Sequence, residues 1–401
     1  MIEAGALAGL RILDLTDRKG AMCGRLMADM GADVIKIEPP GGDFARRIGP
    51  FLDDAPHPDR SLFFWFYNLN KRSMTLDIGR ARGADLMRAL VRSADVVIES
   101  FAPGEMDRLG LGWEYLHRDN PALILCSIAP FGQSGPYRDF AADDTVLTAL
   151  AGMLYVNGFS DQPPIRPLGL QSYHCGSYYG AIAVMSALFA RERDNGGQWI
   201  DLSIQEATAA AVEHVAGRYI SENRIERRHG TLHWSRFFRV GKCRDGYIVH
   251  CTLGDWTSLV EWIASDGKAQ DLTQPQWNDV TYRAERAEHL FDVLDEWAKD
   301  YDRETLLSRA QALRLAYAVV QPPQALLQDE HLAARGFFVE VEHPELGRKF
   351  RYPGAPYLFG GTPWRVYRRP PLVGEHTGEI LKSELGLEAD EIAVLAAEGV
   401  I

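Results

Sequence analysis

Three short segments near the start of the chain restrict its fold most. Arg11-Ile-Leu-Asp-Leu15 is an apolar run of strand length, Gly20 to Met30 carries Met22, Leu26, Met27 and Met30 at helical spacing, and Asp33-Val-Ile-Lys-Ile-Glu38 is a second strand. Gly31-Ala32 separates that helix from the strand after it. Strand, helix and strand within about 30 residues make a βαβ unit, and the crossover forces its two strands to run parallel. The pattern recurs. Met74–Asp77 reads as a strand, Ala81–Ser93 as a helix, and Asp95–Glu99 and Ala122–Ser127 as further strands. Such alternation predicts an open α/β sheet with helices on its faces. Ligands of these sheets lie beyond the carboxyl ends of the strands, here after Leu15, Glu38, Glu99 and Ile128.

Further along, Tyr178–Arg193 reads as a long helix with a face of small residues (Gly180, Ala181, Ala183, Ala187), stopped by Asp194-Asn-Gly-Gly197. A strand at Ile200–Ile204 and an Ala-rich helix at Gln205–Tyr219 follow. From Ser221 to Gly230 the chain turns polar and basic, which marks a linker. Beyond it, a strand at Gly246–Thr252 and helical patterns at Trp256–Ile263, Ala284–Lys299 and Arg303–Leu315 suggest a smaller α/β domain. Near Gly336 the pattern becomes strand-like (Phe337–Val341, Lys349–Tyr352), then Pro-rich, and ends in helices around Thr377–Leu385 and Ala389–Glu398. The segments are therefore 1–220, the first part of a large domain; 221–335, a linker and small domain; and 336–401, a return linker and the rest of the large domain.

A length of 401 residues fits two or three domains at roughly 150 residues each. The net charge of -12 argues against a general nucleic-acid binder, although a local basic patch can still meet a phosphate. Five scattered cysteines without a C-x-x-C pair read as reduced thiols, and no metal-ligand spacing is present. No run reaches the roughly 18 apolar residues of a membrane span, and no leader pattern opens the chain. The expectation is a cytoplasmic protein that binds neither nucleic acid, membrane nor metal.

Several segments together resemble family III CoA-transferases (the CaiB/BaiF group, with formyl-CoA transferase and α-methylacyl-CoA racemase). They are Leu10–Asp14, Met30–Asp43, Asn68–Asp77, Ala94–Gly104, Arg108–Trp113, Cys126–Tyr137, Gly197–Asp201, and Gly374–Leu381 followed by Gly399-Val-Ile401. They cover nearly the whole chain in the family's order. The resemblance implies a Rossmann-like large domain, a small domain joined by two linkers, and two chains interlocked as a dimer. It also implies that acyl-CoA and a carboxylic acid are the substrates. By motif position Leu76, Asp77 and Ile78 would line the adenine site. Ser100, Phe101 and Ala102 would lie along the same cleft, and Arg108 would meet a phosphate, for which a guanidinium is suited. Without the resemblance Arg108 reads as a solvated arginine, and Lys71-Arg72 as the charged edge of a strand.

One position departs from the family. Its aspartate nucleophile lies at fixed distances from an Asp-x-Pro-Pro turn and a Gly-Gln turn. Counting from Asp161-Gln-Pro-Pro164 and back from Gly197-Gln-Trp199 lands both times on Tyr173, and no Asp or Glu lies between Asp161 and Glu192. The family reaction begins when that carboxylate attacks the thioester carbonyl to form a mixed anhydride and release CoA thiolate. A phenol with an ordinary pKa near 10 is a poor substitute. His174 could serve as a base and Cys175 as a thiol nucleophile, while both also read as structural residues. Lys19 occupies the place of a glutamine that helps hold the intermediate; it could pair with a substrate carboxylate or lie on the surface. Where racemases carry His-Asp, this chain has Asp143-Asp144. Trp234, Phe237 and Phe238 read as core, or as the wall of a bulky acyl pocket.

Three readings follow. The chain is the nucleophile-lacking subunit of a two-subunit acyl-CoA:carboxylate CoA-transferase, such as succinyl-CoA:benzylsuccinate CoA-transferase, working as a heteromer with an Asp-containing homologue. Alternatively it is a homodimeric lyase, isomerase or racemase-like enzyme acting on CoA thioesters through Tyr173, His174 or Asp143-Asp144. A third reading is a CoA-binding protein without catalysis.

Overall fold

The computed structural model describes residues 5–194 and 196–401, so the first residues of the 1–220 segment and Asn195 of the expected helix stop lie outside it. The chain divides into two compact units. One comprises Met1–Met153, Pro167–Gly217 and His331–Ile401; the other comprises Leu154–Arg166 and Arg218–Glu330.

The first unit is built on a six-stranded parallel sheet. Its strands are β1 (Arg11–Leu15), β2 (Asp33–Glu38), β3 (Arg72–Thr75), β4 (Val96–Glu99), β5 (Ile124–Ala129) and β6 (Gln198–Ser203), in the spatial order β3-β2-β1-β4-β5-β6. Ile12 pairs with Val34 on one side and Val96 on the other. The chain winds outward from β1 in one direction, then restarts at β4 in the other, so the switch point lies between the carboxyl ends of β1 and β4. Every residue of β5 is buried, because an inner parallel strand is covered on both faces.

Alternation along the strands splits the core. On one face Ile12, Val34, Ile98 and Cys126 pack under helix α1 (Ala21–Asp29) and the long helix Gln171–Asp194. On the other, Leu13, Ile35, Val97 and Leu125 meet the helix Ala81–Val91 and the C-terminal residues Ile380, Leu381, Leu395 and Val400. The second unit carries a three-stranded antiparallel sheet of Phe238–Cys243, Gly246–Cys251 and Ala318–Val319. Its core is rich in tryptophan: Trp256, Trp262, Trp277 and Trp297. Trp234, Phe237 and Phe238 are half-buried, and Phe238 packs against that core.

Several elements differ from the sequence reading. The long helix starts at Gln171 rather than Tyr178, which places Tyr173, His174 and Cys175 inside its first turns. β3 runs two residues earlier than Met74–Asp77, because the Asp77 N–H is taken by the Val400 carbonyl at 2.7 Å and not by a neighbouring strand. The helix read at Gln205–Tyr219 is two helices, Ile204–Ala210 and Glu213–Glu222, separated where Ala211 and Val212 make tighter i→i−3 bonds. Lys71 and Arg72 are not a solvated edge. Lys71 is fully buried, with Nζ bonded to Asp14 Oδ2 (2.7 Å), Ala21 O (2.9 Å) and Asn68 Oδ1 (3.0 Å). Arg72 is buried against Asp33 at 2.6 and 2.9 Å.

Candidate functional site

The carboxyl ends of β1 to β4 hold a dense set of buried ion pairs. Asp14 faces Lys71, Lys36 meets Asp43 at 3.1 Å, and Glu38 grips Arg46 through two bonds of 2.6 and 2.7 Å while accepting the Ser73 hydroxyl at 2.6 Å. Burial opposes charge on Asp14, but the Lys71 and Lys36 ammoniums and the Thr16 hydroxyl outweigh it and hold its carboxyl low. A charge removed from water needs partners on every side, and these side chains supply them. The result is a fixed polar floor under the strand ends.

Above that floor opens a cleft of about 270 Å³, lined among others by Leu15, Asp17, Leu76, Asp77, Ile78, Ser100, Phe101 and Arg108. It lies at the switch point. Asp17, just past β1, is tied to Ser100, just past β4: the Asp17 N–H donates to Ser100 Oγ at 2.9 Å and that hydroxyl returns a bond of 3.0 Å to Asp17 Oδ1. The carboxylates of the lining are matched internally. Asp17 pairs with Lys19, Glu38 with Arg46, Asp43 with Lys36, Asp77 with Arg80, and Glu105 with Arg108. An anionic ligand therefore meets compensated charge rather than an acidic wall.

Of the residues singled out from the sequence, Leu76, Asp77, Ile78, Ser100, Phe101 and Arg108 come together in this cleft. Arg108 stands at its exposed rim, bonded to Glu105 at 2.5 and 2.8 Å. Ala102 lines a separate cavity of about 210 Å³ with Glu99, Trp113, Ser127, Gln133 and Trp199. Glu99 was not singled out beforehand. It is buried, and burial pushes its carboxyl up to about 7 despite bonds from Ser127 and the Phe101 N–H.

Lys19 turns its ammonium onto Asp17 at 2.5 Å. Tyr173 is 2% exposed and packs into the core with Leu147 and Ile204. Burial pushes its phenol up to about 12, against the opposing pull of Arg18, whose guanidinium lies 5.8 Å from the ring centre. His174 Nε2 and the Tyr67 hydroxyl share a hydrogen bond of 2.8 Å, its direction set by the ring tautomer. Burial lowers the His174 pKa and raises that of the Cys175 thiol. Asp143 caps the helix Asp144–Leu150 through the Val146 N–H at 3.0 Å, and Asp144 accepts the Ser172 N–H and hydroxyl at 2.9 and 2.8 Å.

Among the described residues no group of three or more potential metal ligands occurs, and no helix is long and apolar enough to cross a membrane.

The chain is similar over nearly its whole length to known proteins. The chain is 33% identical to the succinyl-CoA:(R)-benzylsuccinate CoA-transferase subunit BbsE of Thauera aromatica, over 98% of this chain and 97% of that one. It is 32% identical to the formyl-CoA:oxalate CoA-transferase of Streptomyces coelicolor over the full length of both. The crystal structure of a CAIB/BAIF family protein from Brucella suis superposes with a TM-score of 0.85 at 27% identity, covering 95% of this chain and 100% of that one. Residues 7–377 match CoA-transferase family III, and with the fold and the cleft in agreement the chain belongs to that family.

Proposed function

We propose that this chain is the CoA-thioester-binding subunit of a two-subunit acyl-CoA:carboxylate CoA-transferase, and that a related partner chain carries the nucleophile. Tyr173 carries this reading. A phenol pushed up to about 12 is almost wholly protonated near neutral pH, and the Cys175 thiol is pushed the same way, so neither supplies a ready nucleophile. His174 then acts as a structural partner of Tyr67 rather than as a base.

CoA occupies the cleft, with the adenine at Leu76, Asp77 and Ile78, the chain passing Ser100 and Phe101, and a phosphate at Arg108 on the open rim. Arg108 exchanges part of its bond to Glu105 for the phosphate, a change that solvent exposure makes cheap. Ala102 borders the neighbouring cavity, and Lys19 contributes by fixing Asp17 at the switch point. The partner's carboxylate attacks the thioester carbonyl, so that CoA thiolate departs and a mixed anhydride forms. The thiolate then attacks the enzyme carbonyl of that anhydride, which releases the donor acid and leaves an enzyme thioester. The acceptor carboxylate attacks this thioester to form a second anhydride and free CoA thiolate, which opens it at the acyl carbonyl to give the new acyl-CoA and the regenerated carboxylate. Similarity to a protein named as a subunit supports this arrangement.

Native mass spectrometry of the protein from its own host tests the proposal. A co-purifying homologue with an aspartate at the position equivalent to Tyr173, and transferase activity only in the mixed complex, is the expected result. A homomer that turns over alone would overturn it.

A further inference from the structure

The loop between β1 and α1 carries three charged side chains in a row, Asp17, Arg18 and Lys19. Asp17 and Lys19 neutralise each other at 2.5 Å. Arg18 stands apart. It is half-buried, its guanidinium lies over the Tyr173 ring at 5.8 Å, and no carboxylate among the described residues comes within ion-pairing distance of it.

Other cations of the same unit have partners of their own: Lys71 has Asp14, Lys36 has Asp43, and Arg25 has Asp29 and the Phe66 and Pro353 carbonyls. The acids whose fields reach Tyr173 are Asp17, Asp143 and Asp144. Lys19 and Ser100 hold the first, the Val146 N–H the second, and Ser172 the third. The Tyr173 hydroxyl makes no hydrogen bond to another described residue, and although the side chain is mostly buried its oxygen is not among the buried polar atoms left without a partner. A hydroxyl without a protein partner that is not sealed from outside can donate to an acceptor supplied by a ligand. A guanidinium fork with a phenolic donor beside it matches a carboxylate. Asp17, the residue that precedes Arg18 in the chain, lines the cleft in which an acyl-CoA is read to bind.

We propose that Arg18 and Tyr173 form a carboxylate-binding site, so that the position read as the family's nucleophile here receives a carboxylate instead of supplying one. The inference rests on the reading of the cleft as a CoA-thioester site. The carboxylate is either that of the free acid or the far carboxylate of a dicarboxylic acyl-CoA. The phenol stays a donor throughout the neutral range because burial keeps it protonated. An aspartate at 173 would close the site by pairing with Arg18.

Isothermal titration of the intact protein, in the assembly in which it purifies, tests this with three probes: succinyl-CoA, butyryl-CoA, and succinate in saturating CoA. The two thioesters share a four-carbon chain and differ in the far carboxylate. A charge-assisted contact predicts about tenfold or tighter binding of succinyl-CoA over butyryl-CoA if the acyl chain is the source, or saturable binding of succinate to the CoA complex if the free acid is. Arg18→Gln abolishes whichever signal is found, and Arg18→Lys retains part of it. Equal thioester affinities without succinate binding overturn the carboxylate site and leave the CoA reading intact, as does a preference that survives Arg18→Gln. Failure of both thioesters to bind overturns the two readings together.

Discussion

At the residue scale, Glu99 shows how the strand ends tune a single group. Its carboxyl is pushed up to about 7 mainly by burial, so the folded chain holds a proton that the unfolded chain releases nearer 4.5. Stability is therefore fullest below the unfolded value, falls as pH rises through the interval, and levels off above about 7. Glu99→Gln keeps the shape and removes the charge. It is expected to match the parent near pH 4.5 and to exceed it by about 3 kcal/mol at pH 8, read from urea unfolding. A difference that stays constant with pH would contradict this. Glu99 also illustrates what spacing conceals. A glutamate ending an apolar strand reads the same whether it faces water or, as here, a cavity bounded by Trp113 and Trp199. Lys71 is the matching case among cations. Only the approach of Asp14, 57 positions away in sequence, makes a lysine tolerable at zero exposure.

At the scale of elements, the cleft wall depends on how closely the helix Ala81–Val91 approaches the loop before it. A Cβ on Gly83 would lie 1.9 Å from the Asp77 carbonyl oxygen and 2.7 Å from its carbon. Both are backbone atoms of the segment that carries Asp77 and Ile78 to the cleft. Gly83→Ala is expected to push that segment inward, costing about 1–3 kcal/mol of stability. Titration with CoA should show affinity falling about tenfold, the effect of a loss near 1.4 kcal/mol at the ligand. Unchanged CoA affinity with the stability loss would mean that the loop is not part of the binding wall. Glycines 176 and 180 do similar work on the long helix, where an added Cβ would meet Ile204 at 2.9 Å and Ile128 at 3.2 Å. The small-residue face was visible in the sequence. The true start of this helix was not, since Gln171–Ser177 carries none of the usual starting signals and is held by Asp144 bonding Ser172.

At the scale of the molecule, the parallel sheet is completed by distant chain. Val400 accepts from Asp77, His376 donates its N–H to the Ser73 carbonyl at 2.9 Å, and the Thr75 N–H reaches Thr377 Oγ1 at 3.0 Å. Ile380, Leu381, Leu395 and Val400 fill the face that Leu13, Ile35 and Met74 present. A fragment of residues 1–220 leaves that face open. It is expected to self-associate and to lack a cooperative thermal transition, and a separate 331–401 peptide is expected to restore one. A monomeric 1–220 fragment that unfolds cooperatively would show that the C-terminal segment is an accessory cover. The segment Leu154–Arg166 adds a second lesson. It carries the Asp161-Gln-Pro-Pro164 turn, yet it groups with Arg218–Glu330 and not with the helix that bears Tyr173.

The sequence by itself determined the parallel α/β sheet and the family, and through the family resemblance it pointed to Leu76 to Ile78, Ser100 and Phe101, which line one cleft, and to Ala102, which lines another. Local periodicity is enough for the sheet and for the rim at its strand ends, and ordered short motifs for the family; the particular cleft residues are what that resemblance implies. Only the tertiary structure decided which charges are spent and which remain. Asp17 takes Lys19 and Asp14 takes Lys71, while Arg18 is left over a buried tyrosine. Charge pairing is a property of side chains brought together from separate elements, and a linear pattern does not carry it.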